Sequence, residues 1–396
     1  MTRGSRKFIV AGGGIGGLSI AYALARKGHE IAVLEQATDF TEVGAGIQLA
    51  PNGMRALADL GLADPVMPYA WKPEALQMRN GYTGAPIVKL PTNAEFAQRY
   101  RAPYCVVHRA DLLSILLDAC SAETRIDLQT GARVEGYESA NGGVSVQLSS
   151  GETVEGDALI GADGLRSTVR QKIIGDGAPE KPRHVVYRGV VPRHTIPDAL
   201  WCQDVVMWCG NGADFVHYPL RSGELFNLVV TFRSPIELEP DDIEGSLEDM
   251  TAPFSGFAPE VHELLRHLPH ERRWLVSDRE PVANWAEGNA VLLGDAAHPM
   301  LQYMAQGACQ ALEDSAELAA SLSRHSTIDE AFRAYSHKRY LRTARVQLSA
   351  RRFIEVCQAG PVFDQVRDHY FKHRPVEKLY QAIDWLYSAE NHLRFE

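Results

Sequence analysis

The chain has 396 residues, with 40 Lys and Arg against 50 Asp and Glu, a formal net charge of −10, and 45% hydrophobic residues. These globular proportions argue against a disordered or fibrous chain, and the acidic balance argues against nucleic acid as the main partner. Six cysteines without a CxxC pair argue against a disulfide framework or a thiolate zinc site.

The length suggests two or three domains. The short basic start runs directly into Phe8–Ala11 and glycines, not into an apolar leader. No stretch reaches the ~18 apolar residues of a membrane span. The expectation is a cytoplasmic protein with no transmembrane segment. No His, Cys or carboxylate group stands at ligand spacing, so no metal is expected.

The opening reads as strand, glycine turn, helix, strand. Phe8–Ala11 is a buried run, residues 12–17 are the turn, and Leu18, Ala21, Tyr22, Leu24 and Ala25 mark one helix face closed by Gly28. Ile31–Leu34 is the second strand, ending at Glu35. This βαβ beginning predicts a parallel sheet with helices on its faces. A helix is predicted from Asp111 to about Cys120, and strands over 144–148 and 157–161. Residues 185–233 are rich in β-branched and aromatic residues and predict an antiparallel sheet, with turns near 210–212 and 221–223. Ala290–Leu293 is another buried strand, followed by a helix from about Gln306 to Leu322. The tail from Ile328 reads as amphipathic helix. Residues 331–396 carry 12 Lys and Arg and 7 Asp and Glu, a local excess of +5. A solvated face is the simplest reading of that excess, with a subunit interface or a lipid contact as alternatives.

Gly12-x-Gly14-x-x-Gly17, followed by Glu35, is a dinucleotide fingerprint with its strand, helix and acidic residue in place. Gly12 allows the tight turn, Gly14 the approach of a pyrophosphate, and Gly17 close helix packing. The helix N-terminus offers free N–H groups to phosphate. The acidic Glu35 favours an unphosphorylated ribose, hence FAD or NAD. Two more strand-end turns, Asp163-Gly164 and Gly294-Asp295, place carboxylates where they can accept from ribose or ribitol hydroxyls. Alternatively each Asp caps the helix that follows.

The stretches VAGGGIGGLSIAYALARKGHEIAVLEQ, VGAGIQLAPNG, VHRADLLSILL, DALIGADGLRSTVR and LLGDAAHPMLQYMAQGACQALEDSAELA resemble the single-component FAD-dependent aromatic hydroxylases of the p-hydroxybenzoate hydroxylase fold. They span residues 10–320. RYRAPYCVVHR, YPLRSGE, DREPVANW and HPMLQYMAQGA look similar to the 3-hydroxybenzoate 6-hydroxylase branch. Salicylate 1-hydroxylase and 6-hydroxynicotinate 3-monooxygenase are neighbouring branches.

The resemblance implies an α/β fold: a Rossmann-like FAD domain (1–75, 105–182 and 276–330), an inserted antiparallel-sheet substrate domain (76–104 and 183–275) and a C-terminal helical region (331–396). It implies FAD contacts from Gly12, Gly14, Ile15, Gly16, Gly17, Glu35, Gln36, Gln48, Arg109 and the Val134 backbone. It implies further contacts from Asp163, Gly164, Asp295, Pro299, Gly307 and Ala308. Asp214, Tyr218, Gln302 and Tyr303 are the implied substrate-facing or catalytic residues. Alternatively, Tyr218 is a core aromatic and Gln302 a satisfied loop amide. The implied reaction is hydroxylation of a small aromatic acid with NADH or NADPH and dioxygen, through a flavin C4a-hydroperoxide. The alternatives are decarboxylative salicylate-type hydroxylation, hydroxypyridine-carboxylate hydroxylation, and a non-oxygenating FAD oxidase or FAD-binding regulatory module. A homodimer is implied by the tail's resemblance alone.

One position departs from the pattern. The 3-hydroxybenzoate branch carries histidine where this chain has Asp214, and His217, three residues on, is expected on the opposite strand face. Histidine cycles protons near neutrality, whereas an ordinary Asp is ionised there and only accepts hydrogen bonds. The departure suits a ligand N–H or hydroxyl, as in a hydroxypyridine carboxylate or an amino-substituted phenol.

Overall fold

The computed structural model describes residues 4–40, 44–140, 142–180, 183–239 and 241–389. Residues 390–396 of the basic tail lie outside the described residues.

The apolar runs of the sequence form the centre of a six-stranded sheet. Its spatial order is Ala286–Glu287, Ala290–Leu292, Ala158–Gly161, Lys7–Ala11, Glu30–Leu34 and Ile126–Gln129. All neighbours are parallel except the hairpin edge at Ala286–Glu287. Helices cover it, so its strands are buried on both faces and read as continuous hydrophobics, not as alternation. Helix Ile15–Ala25 packs on helix Gly307–Arg324 through small residues, with the Ser19 and Ser315 hydroxyls 2.9 Å apart.

The second sheet has seven strands in the order Trp274–Val276, His184–Pro192, Leu225–Arg233, Ala213–Leu220, Val205–Gly210, Ala75–Asn80 and Pro86–Pro91. Only Val205–Gly210 and Ala75–Asn80 pair in parallel. Register divides its residues into two faces. Tyr187, Phe215, Trp208, Phe226, Leu228 and Val230 pack against Phe254, Phe257, Val261 and Leu264 in a separate core. Val186, Arg188, Asp214, Val216, Tyr218, Asn227 and Thr231 share the other face. That face meets the first unit: the Gly46 N–H donates to Asn227 Oδ1 at 2.7 Å, and Gln302 Nε2 donates to Thr231 Oγ1 at 3.0 Å.

The tail forms three helices, Ile328–Cys357, Pro361–Lys372 and Val376–Tyr387. A capping box between Thr327 and Glu330 starts the first. The solvated-face reading of its positive charge holds only in part. Arg339 and Arg342 are 4% and 2% exposed. Both pair with Glu313, Arg339 also pairs with Asp314, and Arg342 donates to the carbonyls of Trp385 and Leu386. The tail's arginines thus neutralise buried acids of helix Gly307–Arg324.

Candidate functional site

The glycine turn is built by exclusion. A Cβ on Gly12, whose φ is +102°, would lie 2.4 Å from the Ala162 carbonyl oxygen, and a Cβ on Gly17 would lie 1.9 Å from the Gly12 carbonyl oxygen. At Gly14 a Cβ would meet nothing within 4 Å. Helix Ile15–Ala25, with Gly16 in its first turn, has no side-chain cap and no acidic residue in that turn. Its first N–H groups therefore await an anion. Glu35 braces the turn, accepting from the Gly13 N–H at 2.7 Å and the Ala37 N–H at 2.8 Å. A cavity of about 140 Å³ opens beside it, lined by Gly13, Gly14, Glu35 and Phe40 among others. Gln36 is exposed next to it. The Ala132 N–H donates to the Glu35 carbonyl at 2.8 Å, which brings the buried Val134 to this end of the sheet.

A second wall comes from the short strand Gly46–Leu49. Gln48 Oε1 accepts from the Tyr104 hydroxyl at 2.5 Å, and the Arg109 N–H donates to Ala45 at 2.9 Å. Burial lowers the Arg109 pKa, with Asp295 pulling it back up.

The two strand-end aspartates differ. Asp163 accepts from Ser167 Oγ at 2.5 Å and from the N–H groups of Thr168 at 2.8 Å and Val169 at 3.3 Å. It therefore braces the start of helix Thr168–Ile173, as the capping alternative expects, beside Gly164 at φ +77°. Asp295 has no hydrogen-bond partner among the described residues. It is accessible, yet the surrounding protein raises its carboxyl, with His298 and Arg109 opposing the rise. A Cβ on Gly307 would lie 3.9 Å from Asp295 Oδ1, so this free carboxylate stands at the start of helix Gly307–Arg324. That helix, with Ala308 in its first turn, also lacks a side-chain cap and an acidic first turn.

Beneath this turn lies a buried ionic network. Asp314 accepts from the Gly294 N–H at 3.0 Å and from Arg339 Nε at 2.6 Å, and stands 2.5 Å from His298 Nε2. Burial opposes its ionisation, but the charges on His298 and Arg339 prevail and hold its carboxyl low. Arg170 donates to the carbonyls of Ala296 and Ala297 at 2.9 and 2.7 Å, and Gln347 to that of Pro299 at 2.8 Å. The turn is fixed from below while its upper face stays free.

On the sheet face, Asp214 is 2% exposed. Burial raises its carboxyl to about 7, against the hydrogen bond from Gln358 Nε2 at 2.7 Å. The same Gln358 amide lies 3.3 Å from the Tyr303 hydroxyl and 3.4 Å from the Thr231 carbonyl. Burial and the neighbouring Asp214 both raise the Tyr303 phenol, whose oxygen is 3.5 Å from His184 Nδ1. Gln302 is tied to Thr231 through its Nε2. Tyr218 is buried against strand Gly46–Leu49, where a Cβ on Gly46 would lie 2.7 Å from its hydroxyl. Burial raises this phenol as well, with Arg188 opposing.

The structure thus gathers Asp214, Gln302 and Tyr303, with Tyr218 further along the same face. His217 is on the other face, as the alternation predicts. Burial lowers it to about 3, and it accepts from Trp208 Nε1 at 3.0 Å, a neutral core histidine. Sequence reasoning missed Gln358, Thr231, His184 and Arg188. Thr231 and Arg188 follow from alternation once strand pairing is known. Gln358, 144 residues from Asp214, carries no local signal.

The orphaned acceptor Asp295, the open space at Gly14 and two uncapped helix starts suit an extended dinucleotide with hydroxyl and phosphate groups. A family model described as an FAD binding domain matches residues 6–349. A 3-hydroxybenzoate 6-hydroxylase of Polaromonas naphthalenivorans is 40% identical over 96% of this chain and 95% of its own length. A 3-amino-4-hydroxybenzoate 2-monooxygenase of Streptomyces cremeus is 37% identical over 88% of this chain and 87% of its own. Klebsiella pneumoniae HpxO, solved with FAD and uric acid, superposes with a TM-score of 0.84 at 28% identity, covering 95% of both chains. With the cradle and its relatives both in view, the chain belongs to the FAD-dependent aromatic hydroxylases.

Proposed function

We propose that this protein inserts one oxygen atom into the ring of a small aromatic acid, in the manner of a 3-hydroxybenzoate 6-hydroxylase, using NADH or NADPH and dioxygen. The observation that carries the reading is the polar cluster in which buried Asp214 and Thr231 of the sheet meet the half-buried Gln358, buried Tyr303 and exposed Gln302. Bound FAD supplies the electron transfer and the oxygen activation. Gly12, Gly14, Gly17, the helix start at Ile15 and Glu35 would hold its diphosphate and adenosine end. Asp295 would accept from its hydroxyls, and the helix start at Gly307–Ala308 would offer N–H groups to it. Asp163 acts mainly by bracing its own turn.

The chain's own part is to bind, orient and move a proton. An electron-rich ring is a better nucleophile as phenolate than as phenol, so a group that takes the phenol proton near neutrality helps. Asp214, raised to about 7, is half protonated there. It can both accept and donate, and so does the work expected of a histidine. The shared Gln358 amide fixes its orientation, and burial of the face excludes bulk water.

A second reading is favoured by Asp214 itself: a carboxylate suits an amino or hydroxyl donor, so an amino-hydroxybenzoate is the competing substrate. Stimulated NADH oxidation, oxygen uptake and product mass, measured with 3-hydroxybenzoate and 3-amino-4-hydroxybenzoate, separate the two. The hydroxylation rate is expected to vary with pH around 7 in the native protein and to lose that inflection in Asp214→Asn. An unchanged profile contradicts the proton role. Carbon dioxide release would instead favour decarboxylative hydroxylation.

A further inference from the structure

Arg188 is the one cation that the sheet pattern places on the ligand-facing side of strand His184–Pro192. It pairs across to Val229 and through it to Val216, whereas Asp214 pairs to Thr231 and through it to Val186. The two residues are therefore two strands and one two-residue step apart, about 12 Å between Cα atoms by sheet spacing. Arg188 Nε is buried without a hydrogen-bond partner. Among the described residues its guanidinium has no ion pair. It is held by stacking: its centre lies 4.5 Å from the Trp274 ring centroid, with Arg272 5.5 Å from the same ring. A cation–π contact positions a guanidinium without consuming its N–H donors. After burial, the charges acting on Arg188 include two cations, Arg109 and Arg272, and the only group pulling the other way is the Tyr218 phenol. A cation in that setting is destabilised unless an anion arrives.

We propose that Arg188, stacked on Trp274, anchors the carboxylate of the aromatic acid while Asp214, across the same sheet face, takes a hydroxyl or amino donor of that same ligand. The arrangement makes the site bipolar. A carboxylate at the Asp214 end would meet a like charge, and a donor at the Arg188 end would meet only donors. The ligand class is a benzoate with its donor group away from the carboxylate, not a neutral phenol. The inference rests on the ring-hydroxylase reading above for the identity of the ligand, but its test is binding, not turnover.

The test uses the FAD-loaded protein and four probes: 3-hydroxybenzoate, 3-amino-4-hydroxybenzoate and the primary carboxamide of each. Binding is read from perturbation of the flavin absorbance. The native protein is expected to prefer each acid over its carboxamide at least tenfold. Arg188→Met should bring that ratio close to one, and Arg188→Lys should leave it in between, with FAD content and melting temperature reporting the fold. If Arg188→Met does not fold, the native ratio and Arg188→Lys still decide. Equal binding of acid and carboxamide by the native protein overturns the anchor, as does an undiminished ratio in Arg188→Met or no perturbation by any probe. An intact ratio with a raised KM for NADH also overturns it and assigns the cation to the dinucleotide diphosphate. Preference for the acids without any hydroxylated product leaves the anchor standing and removes the hydroxylase reading.

Discussion

The glycine cradle and the sheet face at Asp214 prepare for ligands by opposite means. The cradle presents backbone: Gly12, Gly14 and Gly17 remove side chains, and two helix starts offer N–H groups without a side-chain cap among the described residues. The sheet face presents buried side chains, and Asp214, Gln358 and Tyr303 hold one another in place. Backbone donors keep their function at any ordinary pH, whereas a carboxyl raised to about 7 makes the second region sensitive to pH. The cradle tolerates few changes in shape, and the sheet face few changes in charge.

The largest expected effect separates two roles inside the cradle. Gly17→Ala drives a Cβ to 1.9 Å from a backbone oxygen, so loss of folded protein is expected in expression and melting assays. Gly14→Ala meets open space and an ordinary φ of −76°. It should melt like the native apoprotein but retain little FAD, which absorbance after gel filtration reads directly. Equal behaviour of the two variants would break the distinction.

Next comes the network beneath the turn that begins at Gly294. Asp314→Ala leaves Arg339, His298 and the Gly294 N–H without their shared acceptor, so a loss of about 3–5 kcal/mol in denaturant unfolding is expected.

The Asp214 carboxyl binds its proton more tightly folded than unfolded. The resulting stabilisation is full below pH 4 and is lost as pH rises through about 7. Asp214→Asn lacks this loss. Its stability relative to the native protein should therefore rise between pH 5 and pH 8, by up to about 3 kcal/mol. A pH-independent difference would contradict the raised carboxyl.

The smallest effects distinguish the two strand-end aspartates. Asp163→Ala should cost about 1 kcal/mol as a lost cap. Asp295→Ala should leave apoprotein stability within about 0.5 kcal/mol and weaken FAD retention instead.

Much of the first region was legible in the sequence because its chemistry is local. The turn, its strand, its helix and Glu35 lie within one βαβ unit, and each glycine has a steric reason that spacing reveals. The sheet face was legible through the family resemblance, which singled out Asp214 and Tyr218, and through alternation, which put them on one side and His217 on the other. The partner that sets Asp214's chemistry, Gln358, comes from the end of the long helix, and the Tyr303 hydroxyl beside the same amide comes from a distant turn, and no local pattern announces them. The sense of the basic tail was hidden for the same reason: Arg339 and Arg342 read as solvated until the acids of helix Gly307–Arg324 are seen beneath them.

The central claim is tested most directly by incubating the FAD-loaded protein with NADH or NADPH, dioxygen labelled with oxygen-18, and each of the two aromatic acids, then weighing the product. The account predicts an acid carrying one labelled oxygen on its ring, formed in step with NAD(P)H consumption. Nucleotide oxidation that yields only hydrogen peroxide, whichever acid is present, would contradict it.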